Sequence, residues 1–411
     1  LRQRVTGRAV APATGDERAR VSHALQANSE LSAVLLWQGD RTKFLEAAFT
    51  NRNLSDRLGA CGEAAAAISG AGYVLSMMGL RAFGERDLER AAALAEDDTP
   101  LLPKIQAYVL QGMFLSSMGR AEEALSPLRR AGVLADALGG GLWKHRAKFM
   151  LGEPLIMLGA YEEAGRVFVE AALHSVGAEP TVVGFSYAMQ ALSRLRLGDV
   201  DGALGLLEGS QGVEMIRSTT VPLQLFASLG PLAEARLERG DAEGAVRAIR
   251  EAEAAAPGEE ANGYFAGIHG HRAACHVYLS LAERAVASRP SPLNERDALS
   301  KARDAARRFK KFTRTFPGAR ASLALMTGRI AAQSGDIERG LRLLDEAAAE
   351  ASRKKLPYEE ASAHYYAARH LPPESRRDRL RTAIDLFTRF GMTKERQRAE
   401  AFSAYSESHL T

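Results

Sequence analysis

The chain has 411 residues, with 54 Lys and Arg against 50 Asp and Glu, 46% hydrophobic residues and 7% aromatic ones. One compact core stops growing at about 250–300 residues, so this length holds either several domains or a repeat array. A charged fraction of 25% excludes wholesale disorder, 37 Gly and 15 Pro exclude collagen-like and low-complexity chains, and two cysteines exclude a disulfide framework.

Few aromatics with abundant Ala, Leu, Arg and Glu predict helix, because these residues lose little side-chain freedom there. Residues 1–20, with Gly7, Pro12 and Gly15, read as a linker or the remnant of a preceding element. The first residue, Leu1, reads as the start of a piece of something longer. Regularly from 21 to 256, and once more at Gly335, one pattern recurs: an apolar helical stretch, a Gly, a small residue five on, a large apolar residue nine on and a small one twelve on. The clearest copy is Gly159 with Ala164, Phe168 and Ala171. Others start at Gly79, Gly119, Gly198, Gly240 and Gly335, while Gly39 has the right position but poorly fitting followers, Phe44, Ala48 and Asn51. From Gly39 to Gly240 the steps are 40, 40, 40, 39 and 42 residues.

This is the pattern of a helical hairpin. Gly ends the first helix in a left-handed conformation that a Cβ disfavours. Asp199, Asp241 and Asp336 follow at once, placed to cap the second helix. The small residue at +5 admits close approach, and +9 and +12 share its face. One hairpin cannot cover its own apolar face, so stacked neighbours supply the core. Residues 257–320 read as a degenerate hairpin, Tyr264–Ala287 and Asn294–Thr313, broken by Ser288-Arg289-Pro290-Ser291-Pro292. Residues 321–411 hold the final repeats, the last at about Pro357–His370 and Arg376–Phe390, with a closing helix beyond Gly391. The expectation is an all-α superhelical solenoid of about nine antiparallel helical hairpins.

The copy at Gly159, with Tyr161, Glu162, Glu163, Ala164, Phe168 and Ala171, resembles the second half of a tetratricopeptide repeat. The period near 40 exceeds that family's usual 34 or so. Two phrases, Leu31-Ser32-Ala33-Val34-Leu35-Leu36-Trp37-Gln38-Gly39-Asp40 and Ala383-Ile384-Asp385-Leu386-Phe387-Thr388-Arg389-Phe390-Gly391-Met392, are similar to repeat regions of large bacterial signalling ATPases. That resemblance implies a sensor or scaffold arm, with a nucleotide-switch module and a class III adenylate/guanylate cyclase or a serine/threonine kinase elsewhere in the parent.

Catalytic motifs are missing from the chain. Gly79-Leu80-Arg81-Ala82-Phe83-Gly84-Glu85 has glycine spacing reminiscent of a phosphate loop but Glu85 where Lys is needed. His269, His271, Cys275 and His276 form one cluster, but His271 and Cys275 share one helical face and His269 and His276 another, so zinc would need ligands from elsewhere. Neither catalysis, nor a cofactor, nor a resident metal is expected. The uncharged run Ala64–Leu80 is at the lower length limit for a membrane span and is rich in Ala, Gly and Ser, so a membrane partner is not expected. Charge is split: the last 111 residues carry 23 Lys and Arg against 14 Asp and Glu, a net +9, and the first 300 a net −5. In the basic stretch Lys301–Arg314, Ala305, Phe309 and Phe312 make one inward apolar face with the charges outside, so nucleic acid is not the expected partner.

Stacked hairpins offer a groove lined by first helices. Counting back from the turns, Gln106, Val109 and Met113 line it in one repeat and Arg146, Phe149 and Glu153 in the next. These are not the Lys and Asn of carboxylate-gripping tetratricopeptide domains, and they point to a helix or an apolar peptide segment. The functional expectation is a cytoplasmic, non-catalytic region that binds a protein or an intramolecular domain through that groove and regulates an attached effector. Two other readings are the repeat arm of a transcriptional regulator, and nucleic-acid binding by the basic last third.

Overall fold

The computed structural model describes residues 12–38, 41–59, 61–96, 100–139, 142–175, 180–209, 212–218, 221–258 and 264–408. Among these the elements are twenty α-helices and one 3-10 turn, Pro317–Ala319. The helices pair in chain order. Gly15–Gln38 (α1) goes with Arg41–Leu58 (α2), Gly62–Met77 (α3) with Arg81–Glu96 (α4), and Leu101–Met118 (α5) with Ala121–Ala137 (α6). Leu142–Met157 (α7) goes with Tyr161–Ser175 (α8), and Pro180–Arg196 (α9) with Val200–Glu208 (α10). A short helix, Gly212–Arg217 (α11), precedes the pair Pro222–Arg239 (α12) and Ala242–Ala255 (α13). Gly267–Val286 (α14) pairs with Glu295–Thr315 (α15), Arg320–Gln333 (α16) with Ile337–Lys354 (α17), and Pro357–Ala368 (α18) with Pro373–Arg389 (α19), before Thr393–Ser408 (α20). Nine hairpins result, as the period implied. Helix starts at Gly15, inside the stretch read as a linker or the remnant of a preceding element, and Gly39 lies outside the described residues.

The turns follow the expected chemistry. Gly240 has φ 95°, and its neighbour Asp241 donates its amide back to the Arg236 carbonyl at 2.9 Å, which closes the end of α12. Gly79, Gly119, Gly159, Gly198 and Gly335 share the positive φ. The side chains of Asp199 and Asp241 each accept an amide three residues on at 2.8 Å, and that of Asp336 does so at 3.3 Å. The degenerate hairpin turns at Ser288, a non-glycine at φ 52°, and Asn294 caps its second helix. The small, large and small positions at +5, +9 and +12 are fully buried in the Gly159 copy: Ala164, Phe168 and Ala171.

A second glycine completes the seam inside the hairpin. Seven residues before the turn stand Gly72, Gly112, Gly152 and Gly328. The large residue at +9 fills the place of the missing side chain: a Cβ on Gly112 would lie 2.3 Å from Leu128, and one on Gly152 2.2 Å from Phe168. Gly72 faces Leu88 and Gly328 faces Leu344 in the same way. Burying such a side chain contributes about 1.5–3 kcal/mol.

The chain divides into two compact units, Leu1–Phe114 with Ser126–Ala147 and Leu115–Leu125 with Lys148–Thr411, so the division runs through α5, α6 and α7. The boundaries read from the sequence, after 256 and 320, both fall inside the second unit. In the first unit, Ala13, Val21, Leu25, Leu58 and Ala67 form one core cluster. Asn28 links α1 to α2 by donating to Asn51 at 2.8 Å, and Asn51 donates to Ser32 at 3.1 Å.

In the second unit the later hairpins return to the turns of the earlier ones. Lys354 packs on Gly119, Pro357 and Phe390 on Gly159, and Thr393 on Gly198. Lys355 pairs with Glu122 at 2.6 Å, and Tyr161 donates to the Met392 sulfur at 3.7 Å.

Candidate functional site

Where the first helices of the second unit meet, the residues are charged. Arg196 on α9 donates to Glu234 on α12 at 2.8 Å. Arg272 on α14 approaches the same carboxylate at 3.5 Å and reaches toward Glu359 on α18 at 4.0 Å. Ser322 on α16 donates to Glu359 at 2.7 Å. Arg329, also on α16, donates to Glu283 on α14 at 3.2 Å, and Arg369 reaches the other oxygen of Glu283 at 3.3 Å. On α7, both carboxylate oxygens of Glu153 lie within 3.1 Å of His269 Nε2 on α14. Lys394 and Arg398 on α20 both pair with Glu238 on α12.

Two tyrosines of α18 stand between guanidinium groups. Tyr358 has Arg196 at 4.1 Å and Arg272 at 5.3 Å, and Tyr366 has Arg329 at 3.8 Å and Arg369 at 5.7 Å. Such stacking holds the planar cations in place without consuming their N–H donors. The seam is deeply buried: Arg196 is 3% exposed, Glu234 4% and Arg272 4%. Arg272 Nε and Nη2 have no hydrogen-bond acceptor among the described residues. Burial pushes the Glu234 carboxyl up, but Arg196 and Arg272 overcome it and hold the group down at about 2. Glu283 is lowered likewise, burial being outweighed by Arg329 and Arg369. These carboxylates are therefore ionised, and their charge is matched inside the protein.

The groove residues read from the sequence fall in different places. Glu153 belongs to the seam. Phe149 belongs to the apolar packing, its ring 5.6 Å from Phe168 and 4.9 Å from Phe185. Gln106, Val109 and Met113 in the first unit are all buried, and Arg146 there lies over the Trp143 ring at 5.4 Å. The expectation of a helix or an apolar segment as ligand rests on these two repeats. In the second unit the position six before the turn, held there by Glu153, instead carries Glu234 and Arg329 in later repeats.

The His/Cys cluster points three ways. His269 goes to Glu153, while His271 stacks on Phe309 at 5.5 Å, where burial pushes it down to about 3. Burial lifts the Cys275 thiol to about 12. His276 accepts from Arg329 at 3.0 Å and is pushed down to about 4 by burial and by that guanidinium. Among the described residues no group of three His, Cys, Asp or Glu side chains could hold a metal ion. Gly79–Gly84 is an ordinary hairpin turn with Leu80 and Phe83 exposed. On α15, Phe309 and Phe312 are fully buried and Arg303, Arg307, Lys310, Lys311 and Arg314 exposed, as the spacing required. No helix among the described residues is long and apolar enough to cross a membrane.

Nine hairpins among the described residues, six of them turning on left-handed glycines, with first helices joined side by side, define a helical-repeat protein of tetratricopeptide-like fold. No family model and no curated protein sequence matches the chain. Among solved structures it is similar to a Rap protein complexed with Competence and Sporulation Factor, at 13% identity, covering 91% of this chain and 100% of that one, with a TM-score of 0.64. It is also similar to NprR in complex with its cognate peptide NprX (12% identity, 88% and 99% covered, TM-score 0.58). The apo form of the quorum sensor NprR from B. thuringiensis matches with a TM-score of 0.55 at 14% identity, with 89% and 99% covered. At these identities the likeness is one of fold.

Proposed function

We propose that this chain is a non-catalytic, cytoplasmic protein-interaction region whose polar seam in the second unit recognises a peptide or protein segment. The observation that carries this reading is the buried charge itself. Ion pairs this deep are often less stabilising than apolar side chains of the same volume, so a structural role alone leaves them unaccounted for. Arranged on six first helices of different hairpins and on α20, they form a network that can discriminate a partner by hydrogen bonds and charge. Solved relatives in fold, a Rap protein with Competence and Sporulation Factor and NprR with its peptide NprX, support the peptide class. The sequence phrases shared with bacterial signalling ATPases support a sensor arm that reports to a cyclase or kinase in the parent polypeptide.

A peptide array probed with the purified chain tests the reading. Hits should raise its melting temperature, and Arg272→Met should abolish that shift while leaving helicity intact. Hits that bind Arg272→Met as well as the parent would remove the seam from recognition. The coding sequence upstream of Leu1 tests the signalling-ATPase part.

A further inference from the structure

We propose that α20, Thr393–Ser408, is an internal occupant of the seam, and that the external partner takes its place by presenting two basic residues one helical turn apart. This deepens the peptide-reading proposal and rests on it. The argument starts from Glu238. Its side chain is 11% exposed, Lys394 Nζ lies 3.3 Å from its carboxylate and 3.1 Å from its carbonyl, and Arg398 completes the clasp. Lys394 and Arg398 are four residues apart, so they project from one face of α20.

The other seam carboxylates take their partners from elsewhere. Glu234 has Arg196 and Arg272, Glu283 has Arg329 and Arg369, Glu153 has His269, and Glu359 has Ser322 and Arg272. Glu238 alone among these five depends on α20. When the helix leaves, one acidic socket opens at Glu238, while the other four carboxylates keep the partners named above and Arg196 loses only the neighbouring Glu395.

The helix is also thinly seated. Of its described residues only Ala399 is fully buried, and Phe402 meets Tyr365 edge-on at 6.3 Å. Segments with so little apolar burial open at low free energy. Moreover, Glu395 brings its own carboxyl into the seam, where Oε2 has no partner among the described residues and burial raises its pKa. A better-matched segment without that acid would outcompete it. Between α20 and the seam lies a cavity of about 30 Å³, walled by Arg196, Glu238, His276, Tyr358, Tyr365 and Lys394. That volume holds a water molecule or two, so a peptide reaches these groups only when the cover moves.

The probe is a fluorescein-labelled synthetic peptide of residues 393–408, offered in trans to the full chain. In Lys394→Gln/Arg398→Gln, amide exchange in α20 should rise at least tenfold while α13 exchanges as in the parent. The peptide should bind this variant at least tenfold more tightly than the parent chain. Glu238→Gln should release α20 equally but not bind the peptide, and a peptide with Gln at both basic positions should bind neither. Unchanged α20 exchange, peptide binding retained in Glu238→Gln, or equal binding of the neutralised peptide would each overturn the proposal. If the trans peptide fails on the opened variant while array hits still require Arg272, the peptide-reading function stands and the internal-occupant proposal falls.

Discussion

The seams inside the hairpins and the seam along the first helices of the second unit are both buried, yet they are built from opposite chemistry. Inside a hairpin, a glycine on one helix receives a large apolar side chain of the other: Gly112 with Leu128, Gly152 with Phe168, Gly328 with Leu344. Between first helices, guanidinium meets carboxylate and tyrosine: Arg196, Glu234, Arg272 and Tyr358. The first kind is shape-matched and needs nothing from outside. The second is charge-matched, and each of its ion pairs joins side chains from different helices.

The comparison breaks most sharply at Arg196. Arg196→Met leaves Glu234 with the looser Arg272 contact alone and should destabilise the second unit by about 3–5 kcal/mol. Denaturant melting followed by amide exchange in α12 would show it, and adding Glu234→Gln should recover most of the loss. In the apolar seam, Gly152→Val drives a side chain into Phe168 and should cost about 1–3 kcal/mol. There a shape change, Phe168→Leu, should restore part of the stability, whereas no charge change would. If Gly152→Val melts as the parent does, the lock is not tight.

Acid acts on both kinds of packing, through His271 against Phe309 and His276 beside Arg329. His271 and His276 are held neutral in the folded chain, down at about 3 and about 4, while an unfolded histidine titrates near 6.5. The unfolded state therefore binds more protons between those values, and stability falls as pH drops from about 6.5 toward 4. By pH 5.5 each histidine should contribute a loss of roughly 1.4 kcal/mol, read as a lower melting temperature. His271→Phe should flatten that slope. The smallest effect belongs to a cap: Asp241→Ala should cost about 1 kcal/mol, confined to faster exchange in the first turn of α13.

The apolar seam was legible because its signal lies within one repeat, from the turn glycine to Ala164, Phe168 and Ala171. The partner glycine seven residues earlier carries a signal of the same kind, repeated at Gly72, Gly112, Gly152 and Gly328. The polar seam was harder because its signal lies between repeats. Arg196, Glu234 and Arg272 are spaced 38 residues apart with alternating sign, and Ser322 and Glu359 are 37 apart. Equivalent positions of stacked hairpins touch, so opposite charges one period apart were the available clue. Reading the groove from repeats that carry Val109 and Phe149 hid it. The return of Phe390 to Gly159 has no periodic signature at all, since it joins positions over 200 residues apart.

That return has a consequence for how the second unit acquires its structure. A hairpin array folds through near neighbours and can start anywhere. Phe390 on Gly159 and Thr393 on Gly198 are different: they close loops of roughly 200 residues, whose entropy is lost before any contact repays it. During synthesis the turns at Gly159 and Gly198 lack these partners until the C-terminal chain has emerged. The second unit should thus show two kinetic phases, a fast one for helix pairs and a slow one that Phe390→Ala prolongs.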